Sequence, residues 1–158
     1  MRMFDASSTI YGWDNYPLAQ FPGLWDWLRS QINAELITLS ETAYQEVCSK
    51  TPDCGQWLKD TGLTVVANTP ATLQEATQIK TLLNIVGDDY GGGVGENDLL
   101  IIASAKIEGA TLVSDEKKQQ ILPADRRNYK IPAVCAYLNS AVPCENFLEY
   151  IKSSAQSF

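Results

Sequence analysis

Residues 93–117 read "GVGENDLLIIASAKIEGATLVSDEK", an apolar centre bracketed by acids. Glu96 and Asp98 stand in front of it, and Asp115 and Glu116 behind. The centre divides in two. "NDLLIIASAKIEG" (97–109) is apolar on most sides, which predicts a largely buried helix with Gly109 as its stop. "ATLVS" (110–114) predicts a short buried strand. Where a helix runs back along a sheet and feeds a strand, the helix start and the strand end lie at the same edge. In parallel α/β sheets the carboxyl ends of the strands face one crevice. The acids flanking this unit are therefore expected to meet there, with Glu96 as helix-start charge.

The rest of the chain fits the same plan. "MRMFDA" (1–6) reads as a strand ending at Asp5, and "SSTIYGWDNYPLAQFP" (7–22) as a polar and aromatic loop. "GLWDWLRSQIN" (23–33) carries Leu24, Trp27, Leu28 and Ile32 at helical spacing. "ELITL" (35–39) is a β-like run, and Ser40 caps the helix "ETAYQEVCS" (41–49). "PDCGQWLKDTG" (52–62) is a helix stopped at Gly62, and "LTVVA" (63–67) another β-like run. "NTPATLQEATQIKTLLNIVG" (68–87) predicts a helix capped by Thr69, with Pro70 in its first position and Gly87 at its end. Its apolar face is Leu73, Ala76, Ile79, Leu82, Leu83 and Val86. "DDYGGGVGE" (88–96) is a loop, "KIPAVCAYLNS" (130–140) a strand or turn, and "CENFLEYIKSS" (144–154) a terminal helix. β-like runs alternating with helices indicate one α/β domain over residues 1–158 with a mostly parallel central sheet.

Composition narrows the chemistry. Of 158 residues, 45% are hydrophobic and 20% charged, as in a globular domain. No apolar run reaches the roughly 18–20 residues of a membrane span. "MRMFDASSTIY" lacks a signal-peptide core, so a cytoplasmic protein with no membrane partner is expected. There is no histidine, which excludes serine–histidine and cysteine–histidine catalysis. Cys48, Cys54, Cys135 and Cys144 form no C-x-x-C pair and read as reduced thiols. The glycines of "GGGVGEND" (91–98) precede neither the Gly-Lys-Ser/Thr of a P-loop nor a dinucleotide fingerprint. Net charge is −7, against a broad nucleic-acid surface, yet Lys117, Lys118, Arg126, Arg127 and Lys130 are five of the twelve basic residues. They suit a solvated loop and a phosphate-tracking patch about equally.

What remains is the placement of the acids. Asp5 ends the first strand, Asp115 and Glu116 end the "ATLV" strand, and Asp98 occupies the first turn of the helix leading to it. Glu46 lies on the helix after "LITL"; Glu41 is its rival, expected to face solvent. Carboxylates gathered in one crevice repel unless a cation neutralises them. An all-oxygen cluster suits Mg2+ or Mn2+.

At these residues the chain resembles the PIN-domain nucleases, in particular a PIN-like branch associated with toxin–antitoxin loci. "MFDASSTIY", "LSETAYQEV" and above all "ENDLLIIASAKIEGATLVSDEK" are similar to the family's acid-bearing elements. "FPGLWDWLRSQI", "QWLKDTG" and "KIPAVCAYL" also look like this branch. The resemblance implies a three-layer α/β/α PIN-like fold and metal-dependent hydrolysis of RNA phosphodiester bonds. It implies catalytic acids at Asp5, Glu46, Asp98 and Glu116, with Asp115 the neighbouring candidate for the fourth. All five are candidate ligands of Mg2+ or Mn2+. Ser7 and Ser114 would orient ligands or water, and Lys117, Lys118, Arg126 and Arg127 would hold RNA phosphates. The implied role is the toxin of a type II toxin–antitoxin system, partnered by a cognate antitoxin protein. A homodimer is a further expectation, to which "GLWDWL" could contribute. Two departures, Ala6 in "Asp-Ala-Ser" and Glu116 where many relatives carry Asp, sustain an alternative: a catalytically inactive PIN-like module that binds RNA or protein.

Overall fold

The computed structural model describes residues 1–138 and 141–158. The elements run β1 (Arg2–Phe4), α1 (Ala6–Asn15), α2 (Pro22–Asn33), β2 (Ile37–Ser40), α3 (Glu41–Lys50), α4 (Pro52–Thr61) and β3 (Val65–Val66). They continue with α5 (Pro70–Leu82), α6 (Glu96–Glu108), β4 (Thr111–Val113), a 3-10 turn at Arg126–Asn128, α7 (Ile131–Tyr137), β5 (Cys144–Glu145) and α8 (Phe147–Ser154). The strands form one parallel sheet in the order β3-β2-β1-β4-β5. The chain thus builds outward from β1 in one direction and then crosses to build in the other. Its topological switch point lies between β1 and β4, where parallel α/β sheets bind ligands.

Burial follows from this sheet. Met3, Phe4, Ile37, Leu39, Leu112 and Val113 are all buried, because helices cover both faces. Phe4, Ile37 and Leu39 meet Thr9 of α1, Trp25, Leu28 and Ile32 of α2, Trp57 and Leu58 of α4, and Phe147 of α8. On the other side α6 contacts β2 and β4 and is flanked by α5 and α7. Its residues Ile101, Ile102, Ala103 and Ala105 are all fully buried. Helix α3 joins the two layers, touching α1 and α4 as well as α6. Leu24, Trp25 and Leu28 point into this core, so "GLWDWL" buries much of its apolar surface within its own chain. Among the described residues, no helix is long and apolar enough to cross a membrane.

Three segments differ from the sequence reading. Residues 7–22 are not all loop: α1 begins at Ala6 because Asp5 caps it and accepts from the Ala6 amide at 2.7 Å. The hydroxyls that made the stretch look polar are used internally. Ser8 donates its one hydroxyl proton to the Val113 carbonyl (2.6 Å), with the Asp5 carbonyl also within reach at 3.0 Å, and Thr9 donates to that of Asp5 (2.9 Å). Helix α5 ends at Leu82, not Gly87, with Asn84 in the left-handed region at φ 58°. Its apolar face is accordingly narrower: Ala76, Ile79 and Leu83 are buried while Leu73 and Val86 are 55% and 79% exposed. "KIPAVCAYL" is the helix α7, with Pro132 near its start where no intrahelical N–H is needed. Seven residues are too few for apolar periodicity to separate helix from strand. The last strand is instead the pair Cys144–Glu145. Asn139 and Ser140, the end of that stretch, lie outside the described residues.

The glycine-rich loop before α6 also gains a structural reason. It lies against the 126–129 segment, with Gly92 N donating to Asn128 Oδ1 (2.8 Å), Gly93 N to Arg127 O (3.2 Å) and Val94 N to Tyr129 O (2.9 Å). A Cβ at Gly93 would stand 2.2 Å from Tyr129 O and 2.5 Å from the Asn128 carbonyl carbon, both backbone atoms that cannot rotate aside. At Gly92 the nearest atom would be Asn128 Oδ1 at 3.6 Å, an ordinary contact. Gly93→Ala is expected to destabilise the domain by about 1–3 kcal/mol, seen as a lower urea midpoint at unchanged slope. Gly92→Ala should fall within about 0.5 kcal/mol of wild type. Equal effects of the two substitutions would show that close backbone approach is not why the glycine is there.

Candidate functional site

Asp5 and Ser114 leave the carboxyl ends of adjacent strands, and both are buried, at 3% and 1% exposure. Asp5 Oδ2 accepts from Ser7 Oγ (2.6 Å) and from Ser114 Oγ (3.0 Å). Each serine has one hydroxyl proton, and here both point at the carboxylate. Their oxygens, 3.2 Å apart, then act as acceptors in turn. Ser7 Oγ takes the Asp115 amide (3.0 Å) and Ser114 Oγ takes the Glu116 amide (3.3 Å). Two backbone N–H groups are thereby relayed through two hydroxyls to one carboxylate, which fixes the 114–116 turn against β1. The other oxygen, Oδ1, receives the Ala6 amide.

The remaining acids approach from the helices. Asp98 sits in the first turn of α6, where its Oδ2 accepts from Gly95 N at 2.9 Å. Burial, and then the charges of Asp5, Glu116 and Glu46, push its carboxyl up to about 6 against the pull of that amide. The other three acids expected from the sequence therefore act on the Asp98 carboxyl group. Glu46 reaches α6 from α3, where its Oε1 accepts from Asn97 Nδ2 at 3.2 Å. Lys50 lies at 3.9 Å from its other oxygen.

The two candidates for the fourth acid face different ways. Asp115 Oδ2 accepts from Phe147 N at 3.1 Å, so this carboxylate is drawn to the start of α8. Burial raises its pKa, the Phe147 amide opposes that, and Asp5 and Glu149 raise it further. Glu116 is the one that acts on Asp98. Glu41 does not simply face solvent: its Oε2 accepts from Asn68 N (3.1 Å), joining α3 to the start of α5.

The basic residues are less uniform than their spacing suggests. Arg127 donates to Asp125 from Nε (3.0 Å) and Nη2 (2.7 Å), and to Asp89 from Nη1 (2.6 Å). Arg126 lies over the Tyr137 ring, 5.2 Å from its centre, and donates to its hydroxyl. Lys118 pairs with Glu149. Lys117 is exposed and, among the described residues, has no ion pair.

Two groups escaped the sequence reading. Asn97 holds Glu46, and the Gly95 amide holds Asp98. The second was detectable, since an acid three residues after a helix start is the reciprocal half of a capping box. The first was not, because it joins residues fifty-one positions apart.

The donor set suits a divalent cation in kind: carboxylate oxygens alone, with mutual repulsion for a cation to relieve. Among the described residues no three acids or cysteines stand close enough to form a ready-made metal cluster. Magnesium is commonly held by only one or two carboxylates, with water completing its octahedron. The residues fit a hydrated ion of that type rather than a closed protein cage.

No curated protein matches the chain. A solved structure of VapBC2 from Rickettsia felis, bound to a DNA fragment from their promoter, is similar in fold. The likeness has a TM-score of 0.55 at 17% identity, over 92% of this chain and 97% of that one. At that identity it speaks for the architecture alone, an α/β/α sandwich around a parallel sheet. The DUF4411 family model, described as a domain of unknown function, matches residues 3–158, and the chain therefore belongs to the DUF4411 family.

Proposed function

We propose that this protein is a Mg2+- or Mn2+-dependent endoribonuclease, acting as the toxin of a type II toxin–antitoxin system. The observation that carries the reading is the gathering of acids at the switch point of the sheet: Asp5 and the 114–116 turn leave adjacent strands there, joined through Ser114, and Asp98 and Glu46 approach from α6 and α3, near enough for their charges to act on one another. The resemblance of the acid-bearing motifs to PIN-domain nucleases names the reaction. The likeness of fold to VapBC2 agrees with a cognate antitoxin as partner.

In this reading Asp5, Glu46 and Asp98 would hold a hydrated ion, in part through its waters, and Glu116, in preference to Asp115, would position a water or a second ion. A divalent cation supplies Lewis acidity, lowering the pKa of a water and offsetting charge on the phosphoryl oxygens. The chain contributes order. Ser7 and Ser114 hold the 114–116 turn to Asp5, so Glu116 is presented from a fixed backbone. Asn97 holds Glu46 toward the start of α6. Lys117 is the cation most available to an RNA phosphate. A second reading, a PIN-like module that binds RNA or protein without cleaving, is favoured by one observation: the described acids are not gathered into a preformed cluster.

Asp98→Asn separates these readings. The folded carboxyl titrates near 6 and the unfolded one near 3.8, so ionisation opposes folding. Asp98's contribution is fully present below its unfolded pKa and is lost as pH rises through about 6. The metal-free Asp98→Asn variant should therefore melt about 2–6 °C above wild type at pH 7.5, the scale of 1–2 kcal/mol for a domain this size. That gain should shrink toward zero as pH falls to about 4. Mn2+ should raise the melting temperature of wild type but not of the variant, and only wild type should cleave RNA. No Mn2+-dependent shift in wild type would sink both the catalytic and the metal-binding reading. A shift without cleavage across tRNA, rRNA and mRNA would favour the binding module.

The phosphate contacts give a second test. Lys117→Ala should weaken RNA binding and lower the salt slope by about one contact, with an unchanged melting temperature. Arg127→Ala should instead lower the melting temperature, because it releases Asp125 and Asp89. Filter binding at two salt concentrations, beside a thermal melt, reads both.

A further inference from the structure

Two of the four cysteines meet at the far edge of the sheet. Cys135 lies in α7 and Cys144 in β5, and both line one open cleft of about 330 Å3 with Lys118, Pro132 and Pro143. Cys135 is buried and Cys144 half-buried. Facing the same cleft, the two thiols lie near enough to influence each other's ionisation. Contact with Cys144, and then burial, hold the Cys135 thiol far above its ordinary range. The same contact pulls Cys144 down, and the Lys118 ammonium helps it against burial and the charges of Asp5 and Glu149. Thiolate character together with access decides which cysteine reacts, and an adjacent thiol decides whether the product is a disulfide. Cys54 has the opposite setting: it is buried, and burial pushes its thiol up to about 12.

We propose that Cys144 and Cys135 form an oxidisable dithiol, a modification site for small hydroperoxides, in which Cys144 reacts and Cys135 resolves. The Cys144 sulfur attacks the outer peroxide oxygen. An S–O bond forms, the O–O bond breaks, and the departing oxygen takes a proton and leaves as water or an alcohol. Cys135 then attacks the sulfenic sulfur. An S–S bond forms, the S–O bond breaks, and the hydroxide leaves with the Cys135 proton as water. Two thiols are oxidised by two electrons and one hydroperoxide is reduced. The disulfide would tie α7 to β5, which pairs with β4 at Leu112–Cys144 and Val113–Glu145. Ser114 N donates to Glu145 O at 2.9 Å, so the crosslink falls beside the strand end that carries Ser114. This site is independent of the nuclease reading and stands or falls without it.

The test uses the reduced full chain under native conditions with a small excess of hydrogen peroxide. Unfolding and alkylation follow, then tryptic mass spectrometry. Cys135 and Cys144 share the peptide 131–152, with cleavage after Lys130 and Lys152. That peptide is expected to lose two hydrogens and escape alkylation, about tenfold faster than Cys48 or Cys54 is modified. In Cys135→Ser, dimedone should trap a sulfenic acid on Cys144. In Cys144→Ser, Cys135 should remain a thiol. The proposal is overturned if Cys48 or Cys54 oxidises first in the wild type, or if Cys144 forms only intermolecular disulfides. It also fails if peptide 131–152 stays fully alkylatable. The wild-type measurement decides these outcomes even where a variant does not fold.

Discussion

The Asp5 carboxylate, buried at the meeting of β1 and β4, is the interaction on which the arrangement depends. It starts α1 by accepting the Ala6 amide, and it gathers the hydroxyls of Ser7 and Ser114. A buried carboxylate without donors would cost several kcal/mol, whereas each hydrogen bond to a charged group contributes about 1.5–3 kcal/mol. The three donors come from both strand ends, so satisfying Asp5 requires β1 and β4 to be in register. Phe4 does stand opposite Val113. Ser8 completes the join from α1 by donating to the Val113 carbonyl. One acid thus sets a helix start, a strand pairing and the path of the 114–116 turn.

Asp98 shows the opposite balance. The start of α6 is a favourable place for a carboxylate, because of the helix dipole and the Gly95 amide. Burial and three neighbouring acids outweigh that benefit and raise the carboxyl to about 6. A chain selected only for stability would replace Asp98 by Asn, whose side-chain oxygen can accept the same Gly95 amide from the third helical position without the charge. A local rule broken without structural compensation is expected where a site has work to do. Asp5 is consistent with folding alone, because its donors satisfy it. Asp98 is the residue whose identity folding does not explain.

The sequence made the α6–β4 unit legible because local rules converge there: a glycine stop, an apolar helix and a β-branched strand. Gly109 is in the left-handed conformation its position predicts, and Ser40 and Thr69 cap α3 and α5. What escaped depends on distant partners. Helix α1 read as a loop because the hydroxyls of Ser8 and Thr9 look solvent-seeking until the Val113 carbonyl is placed beside them. Gly12 within that helix also answers to a distant partner, since a Cβ there would meet the Phe147 ring at 2.8 Å. The acids were legible as a set, since strand ends share an edge whatever the packing. Their individual directions were not, because Asp115 and Glu116 are neighbours in sequence and diverge only once α8 offers the Phe147 amide.

The same logic applies to charge. Read in sequence, the 117–130 segment is a basic stretch in an acidic chain. In the fold, Arg127 is a bracket between Asp125 and Asp89, at the loop where the glycines press on residues 126–129. Lys118 is turned to Glu149 at the start of α8. A net charge of −7 is therefore not offset by a broad cationic face around the acids. Long-range attraction of a polyanion grows with the number of free cations and is screened within roughly 10 Å at ordinary salt. With Lys118 and Arg127 turned to carboxylates, the cations of this segment without an ion pair among the described residues are Lys117, Arg126 and Lys130, and Arg126 lies over the Tyr137 ring. Three scattered cations do not make the continuous charged track by which a duplex backbone is gripped, so the local pairing of the 117–130 segment, and not its composition, decides what this face can attract.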